Sequence, residues 1–177
     1  MPAGGASPGC RFGFAGVAAF RFPRAVRRRI RNLVYWLPAG GWMALIFTGS
    51  TGLLSDSRTS RFLEPILRWL WPGLADEGLW RLIYYLRKAA HVTEYAILAV
   101  LVLAALNQTF RLQPPGWSWR RAGLTLLICG VYAVSDELHQ AFEPTRYASG
   151  VDVLIDVSGA AMAVGVLWLA GRLGKRG

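Results

Sequence analysis

Acidic residues are scarce in this sequence: ten stand against twenty lysines and arginines, and all charged residues make up only 17% of its 177 residues. A soluble domain carries nearer a quarter, so much of this chain is not built to face water. Cysteine is scarcer still, with only Cys10 and Cys129. The two lack metal-ligand spacing, and one pair gives no disulfide framework. No apolar segment precedes Cys10, which excludes a lipoprotein reading. Cys129 lies within an apolar run and reads as a small buried residue. The sequence contains no His-Glu-x-x-His, and no serine or cysteine has readable catalytic support.

What is abundant points to lipid. Hydrophobic residues reach 54%, and there are eight tryptophans, whose indoles favour the membrane–water interface. The net charge of +10 would suggest nucleic acid in a soluble protein. Here Arg21, Arg24, Arg27, Arg28, Arg29 and Arg31 stand just ahead of the first long apolar run. That placement is a topology signal and an attraction to anionic headgroups. Membrane lipids, not nucleic acid, are the expected partners.

Residues 1–32 read as a basic, flexible cytoplasmic tail, 33–171 as a transmembrane domain, and 172–177 as a second basic tail. From Leu33 to Ser55 no residue is charged, which makes this the first candidate span despite Pro38 and Gly40-Gly41. The segment Asp56–Lys88 mixes charge with large apolar residues, and Phe62, Ile66, Leu67, Trp69, Leu70 and Trp71 are too few to span before Pro72-Gly73 breaks the chain, the pattern of an amphipathic helix on the membrane surface. Asp76 is positioned to cap a new helix that continues into a second span, Ala89–Leu106. Gln113-Pro114-Pro115-Gly116 then forces a turn. The third span begins at Ala122 and must extend through Asp136–Phe142 to cross, since a bilayer needs about 20 residues. Pro144 stops it, and the fourth span runs from about Gly150 to Gly171. The expected architecture is an all-α integral membrane protein, about four transmembrane helices with one interfacial amphipathic helix. An even number of spans puts both termini on one side. Arg111, Arg120, Arg121, Arg172, Lys175 and Arg176 make that side cytoplasmic, for a multi-pass protein of the cell membrane.

The polar residues then acquire an address. Lys88, His91, Glu94 and Tyr95 share one face of the second span; Asp136, His139 and Gln140 share a face of the third with Glu137 beside it; Asp152 and Asp156 stack on the fourth. Alternating direction puts all three faces at the extracytoplasmic end. At about 1.5 Å per residue, Glu94 lies roughly 9 Å along its helix from Lys88. A lipid-facing carboxylate at that depth costs about 3 kcal/mol, so Glu94, Asp136, Asp152 and Asp156 should face inward. Their candidate partners are Lys88, Arg146 and the histidines. His139, nearer the outer loop, reads as solvated. Gly159 with Ala160, Ala161 and Ala163 gives the fourth span a small-residue packing face.

The ordered set Lys88-x-x-His91-x-x-Glu94-Tyr95, Asp136-Glu137-x-x-Gln140, then Arg146, Asp152 and Gly159, resembles the VanZ-like family over about residues 33–170. The resemblance implies a small multi-span membrane protein. The family is named for a member associated with teicoplanin resistance, and teicoplanin acts on cell-wall precursors at the outer surface. The chain departs from the family pattern at Asp156, where Asn is usual, and at Thr145, where Gly commonly precedes the arginine.

Three functional classes follow from this constellation, beside a purely structural network. The first is binding or modification of a cell-envelope component, such as a cell-wall precursor or a lipid-linked, phosphate-bearing headgroup held by Lys88 and Arg146. The second is an acid–base or metal-assisted lipid hydrolase or transferase, with Glu94, Asp136, Glu137 and Asp156 as oxygen ligands and His91 as nitrogen ligand or base. The third is a transporter, which the apolar inner halves of the spans disfavour. The sequence names neither cofactor nor metal.

Overall fold

The computed structural model describes residues 23–51, 56–110, 117–142 and 149–174, and among them every regular element is helical. The five helices are α1 (Arg24–Ser50), α2 (Asp56–Leu70), α3 (Asp76–Thr109), α4 (Trp119–Gln140) and α5 (Gly150–Leu173). The expected turn at 113–116, Pro144 and Arg146 lie outside the described residues, as does the chain before residue 23.

α1 starts inside the segment expected to be a tail. Arginine is a good helix former, and Pro23 sits at the N-cap, where its missing N–H costs nothing. The helix also runs through Pro38 unbroken. α3 is a single helix long enough to reach well past a bilayer core, about 50 Å at the ordinary rise. Its N-cap is Ala75, not Asp76; Asp76 lies in the first turn and pairs with Arg68 at 2.7 Å. The Ser118 hydroxyl caps α4 by accepting from the Arg121 N–H at 3.4 Å. α4 ends at Gln140 with Ala141 as its C-cap, so Phe142, expected inside the helix, lies beyond it and is exposed.

Contacts between helices fix their directions. Trp36 reaches Thr109 (3.1 Å) and Trp42 reaches the Glu94 carbonyl (2.9 Å), so α1 runs antiparallel to α3. The Tyr132 hydroxyl donates to the Met43 carbonyl, and Ser50 donates to Asp136 (2.7 Å), so α1 runs parallel to α4. Lys88 pairs with Asp152, His91 with Asp156, and Val92 abuts Gly159, so α3 and α5 run parallel. Thus α1, α3, α4 and α5 alternate up and down. Among the described residues α2 packs on the first turns of α3 alone, through Leu67, Leu79 and Ile83.

Two of these helices, α3 and α5, are long and apolar enough to cross a membrane. The four-helix group has inverted polarity. Its centre buries Tyr95, Leu98, Ala99, Val102, Cys129, Ala133 and Ala160, but also Asp136, Glu137, Gln140 and Asp156. Its outer faces expose Leu37, Leu45, Leu127, Val131, Leu154, Met162 and Val166. Water would drive those apolar residues inward; lipid does not.

Candidate functional site

The parallel seam between α3 and α5 carries the first part of the site. Lys88 and His91 are three positions apart and Asp152 and Asp156 four, so per turn α3 presents one cation-capable group and α5 one acidic group at matching heights. Lys88 Nζ forms an ion pair with Asp152, both mostly buried. One turn deeper, His91 Nδ1 lies 3.1 Å from Asp156 Oδ1. Deeper again, Gly159 lets the backbones touch: a Cβ there would fall 2.3 Å from the Val92 carbonyl oxygen. The glycine that packs the helices therefore also brings the two pairs together.

The second part comes from α4. Asp136 Oδ2 accepts from the Ser50 hydroxyl (2.7 Å) and from Gln140 Nε2 (3.1 Å). Glu137 turns toward α5 and accepts the Ser149 N–H at 2.8 Å, anchoring the start of α5 with a negative group where the helix dipole favours one. Spacing alone put Glu137 beside the polar face. The structure buries it nearly as deeply as Asp136, because it closes the α4–α5 corner.

Tyr95 is fully buried, and its hydroxyl has no hydrogen-bond partner among the described residues, although Asp156 and Asp136 are within electrostatic reach. Glu94 is half-buried and acts electrostatically on His91. His139 departs from its expected solvated state: it is half-buried, its ring packs tilted against Phe47 with centroids 4.5 Å apart, and its Nε2 is buried. The apolar end of α1 covers it, which α4 alone did not reveal.

Among the described residues, Asp136 Oδ1, Glu137 Oε1 and Asp156 Oδ2 are buried without a hydrogen-bond partner. Such groups are costly to leave unmatched. Among the described residues the assembly is acidic in net terms: Glu94, Asp136, Glu137, Asp152 and Asp156 stand with Lys88 and His91, and Lys88 is already engaged by Asp152. No three His, Cys, Asp or Glu side chains among the described residues are arranged to hold one metal ion.

Sequence reasoning missed Ser50, Ser149, Trp42 and Tyr132. The signal for Ser50 was available, since it is a polar residue at the extracytoplasmic end expected of the first span. Ser149 acts through its backbone N–H, which no side-chain pattern marks.

No curated protein and no solved structure matches the chain. The family described as VanZ/LLP1 matches residues 33–171, which take in the four-helix group and α2. With two helices fit to cross a bilayer and carboxylates buried behind apolar outer faces, this membrane protein belongs to the VanZ/LLP1 family.

Proposed function

We propose that the chain crosses the membrane four times and holds, at its extracytoplasmic end, an acceptor-rich site that binds a headgroup of a cell-envelope component. α1 and α4 fall short as isolated spans for different reasons: the uncharged stretch of α1 is diluted by Pro38, Gly40, Gly41 and polar-edged aromatics, whereas in α4 arginines open the helix and Asp136 and Glu137 close it. Both nevertheless lie alongside α3 and α5, and a bilayer that holds those two must surround their neighbours. With α1, α3, α4 and α5 as spans, Arg120, Arg121 and Arg172 fall at the end where α1 begins. The positive-inside rule puts that end, with both termini, in the cytoplasm.

The observation that carries the binding reading is the pair Asp136 and Asp156. Both are buried, and in each one oxygen is held while the other is unmatched among the described residues. A ligand offering hydroxyl or ammonium hydrogens matches those acceptors. A bare phosphate offers no hydrogen to those acceptors, and among the described residues Lys88 is engaged by Asp152. A lipid-linked sugar or an amine-bearing headgroup is therefore the favoured class over the phosphate-centred one. The deeper core, from Leu98 to Leu106 on α3 and around Cys129 and Val164, is apolar, which supports a closed site and not a transport path.

The test is native mass spectrometry of protein purified in mild detergent and exposed to envelope lipid extract. Asp136→Asn should reduce retention of the bound component about tenfold, the usual scale for one charge-assisted hydrogen bond. Asp156→Asn separates the two ligand classes by the size of the loss: an ammonium ligand, which loses an ion pair as well as a hydrogen bond, weakens more than a hydroxyl ligand. Unchanged retention in Asp136→Asn, with normal membrane levels, sinks the binding reading.

One observation favours a second reading. A carboxylate holding one imidazole nitrogen, as Asp156 holds His91 Nδ1, is the arrangement of a general base. Turnover of envelope lipids that disappears in His91→Asn would establish catalysis at the same site.

A further inference from the structure

The acidic residues are distributed unevenly along the bundle. None occurs in residues 1–55, 95–135 or 157–177. Those ranges include every stretch outside the described residues that adjoins the end where α1 and α4 begin and α5 finishes. An arginine at that end therefore has no acidic side chain of its own chain to pair with. Arg120 and Arg172 stand there, in the first turn of α4 and the last turn of α5. Both are exposed, and neither has an ion-pair partner among the described residues. The carbonyl end of α5 carries a partial negative charge, which the amino end of the antiparallel α4 beside it offsets.

Aromatic rings tie the two helix ends together at the same place. Trp119 of α4 meets Trp168 of α5 with ring centres 5.7 Å apart. Trp117, itself packed against the apolar core, meets Trp119 edge-on. The Arg172 guanidinium lies over the Trp168 ring, 4.8 Å from its centre. Stacking uses the face of a guanidinium and leaves the N–H groups at its edge to donate. Deeper along the same helices, Leu124 and Leu127 on α4 and Met162 and Val166 on α5 are exposed. A cationic edge, indoles at the boundary and an apolar flank match in order the phosphate, glycerol and acyl chains of a lipid.

We propose that this α4–α5 end is a binding site for the phosphate of an anionic phospholipid, held by the stacked Arg172 with Arg120 beside it. Arginine's planar fork matches phosphate oxygens in pairs, and support from the Trp168 ring reduces the side-chain freedom lost on binding. Free phosphate shares the charge but gains nothing from the apolar flank. The site rests on the reading that α4 and α5 both cross the bilayer. It does not depend on what the carboxylates bind, since Arg172 lies about 24 Å along α5 from Asp156 at the ordinary helical rise.

The test uses the full chain in mixed micelles of phosphatidylglycerol and phosphatidylcholine, with retained lipid read by native mass spectrometry. Wild type should retain phosphatidylglycerol over phosphatidylcholine. Arg172→Gln should lower that preference about fivefold and the Arg120→Gln/Arg172→Gln double variant about thirtyfold, the scale for removing one and two basic residues at an anionic surface. Trp168→Leu, which keeps both charges and removes the stacking surface, should lower it about threefold. Arg31→Gln removes an equal charge at the same end, from a helix that does not pack on α5 among the described residues; it should change the preference by less than about twofold. Arg172 and Arg31 are exposed, so their single variants give a reading even where Trp168→Leu fails to fold. Equal retention of the two lipids by wild type, or an unchanged preference in Arg172→Gln, overturns the proposal. A fall with Arg31→Gln as large as with Arg172→Gln also overturns it, because diffuse surface charge would then suffice. So does displacement of the retained lipid by millimolar inorganic phosphate, which would make free phosphate the occupant. Asp136→Asn should leave the lipid preference intact, and Arg172→Gln should leave retention at the carboxylates intact, so either reading can fail alone.

Discussion

Gly159 offers the most decisive test of how the site is assembled. Replacing it with alanine puts a Cβ 2.3 Å from the Val92 carbonyl oxygen and 2.9 Å from the Val92 carbonyl carbon and Cα. A carbon–oxygen contact normally stands at about 3.3 Å, so α3 and α5 must separate by about 1 Å. The obstacle is backbone, which cannot swing aside as a side chain can. Overpacking of this kind costs about 1–3 kcal/mol, and the upper end is expected here. Separation also draws apart His91 and Asp156, now 3.1 Å apart in the same seam. At Gly165 and Gly171 an added Cβ meets nothing within 4 Å, so alanine there should be neutral or stabilise by up to about 1 kcal/mol through helix propensity. Thermal unfolding in detergent, followed by size-exclusion chromatography with fluorescence detection, compares the three variants directly. A Gly159→Ala protein as stable as Gly165→Ala would refute the close approach and, with it, the account of how the Lys88–Asp152 and His91–Asp156 pairs are aligned.

Other expectations concern the ties around the site. A double-mutant cycle on Lys88→Met and Asp152→Asn should give a coupling of about 1–2 kcal/mol, between the values for exposed and buried pairs, because the side chains retain 23% and 18% exposure; a coupling near zero would remove the outer rung of the seam. Tyr132→Phe, which loses the bond to the Met43 carbonyl, should destabilise by about 1 kcal/mol in the same unfolding assay. In a background of Cys10→Ser and Cys129→Ser, an impermeant thiol reagent applied to intact cells should label Ser149→Cys and spare Ser118→Cys; labelling of both or the reverse would contradict the proposed orientation.

Much of the architecture was written in composition and periodicity. Uncharged stretches, flanking arginines and the proline–glycine breaks located four long helices and one amphipathic one, since the backbone's need for internal hydrogen bonds in lipid leaves few options. The places where this reasoning fell short share a cause. The first helix begins at Arg24 and α4 stops at Gln140 because ends are set by local capping, which hydropathy does not record.

For the site, spacing determined which residues share a face: Lys88 with His91, Asp152 with Asp156, Asp136 with Gln140. A helix repeats every 3.6 residues whatever surrounds it, so that much needs no neighbours. Only tertiary structure decided who meets whom. Lys88 was free in sequence to hold a ligand and is instead engaged by Asp152; Glu137 became the anchor of α5, Ser50 entered as a partner of Asp136, and His139 was covered by Phe47. Those outcomes depend on the rotation and closeness of packed helices, which in turn depend on single contacts such as Gly159 against Val92. Such contacts join residues far apart in the chain, and no local pattern encodes them.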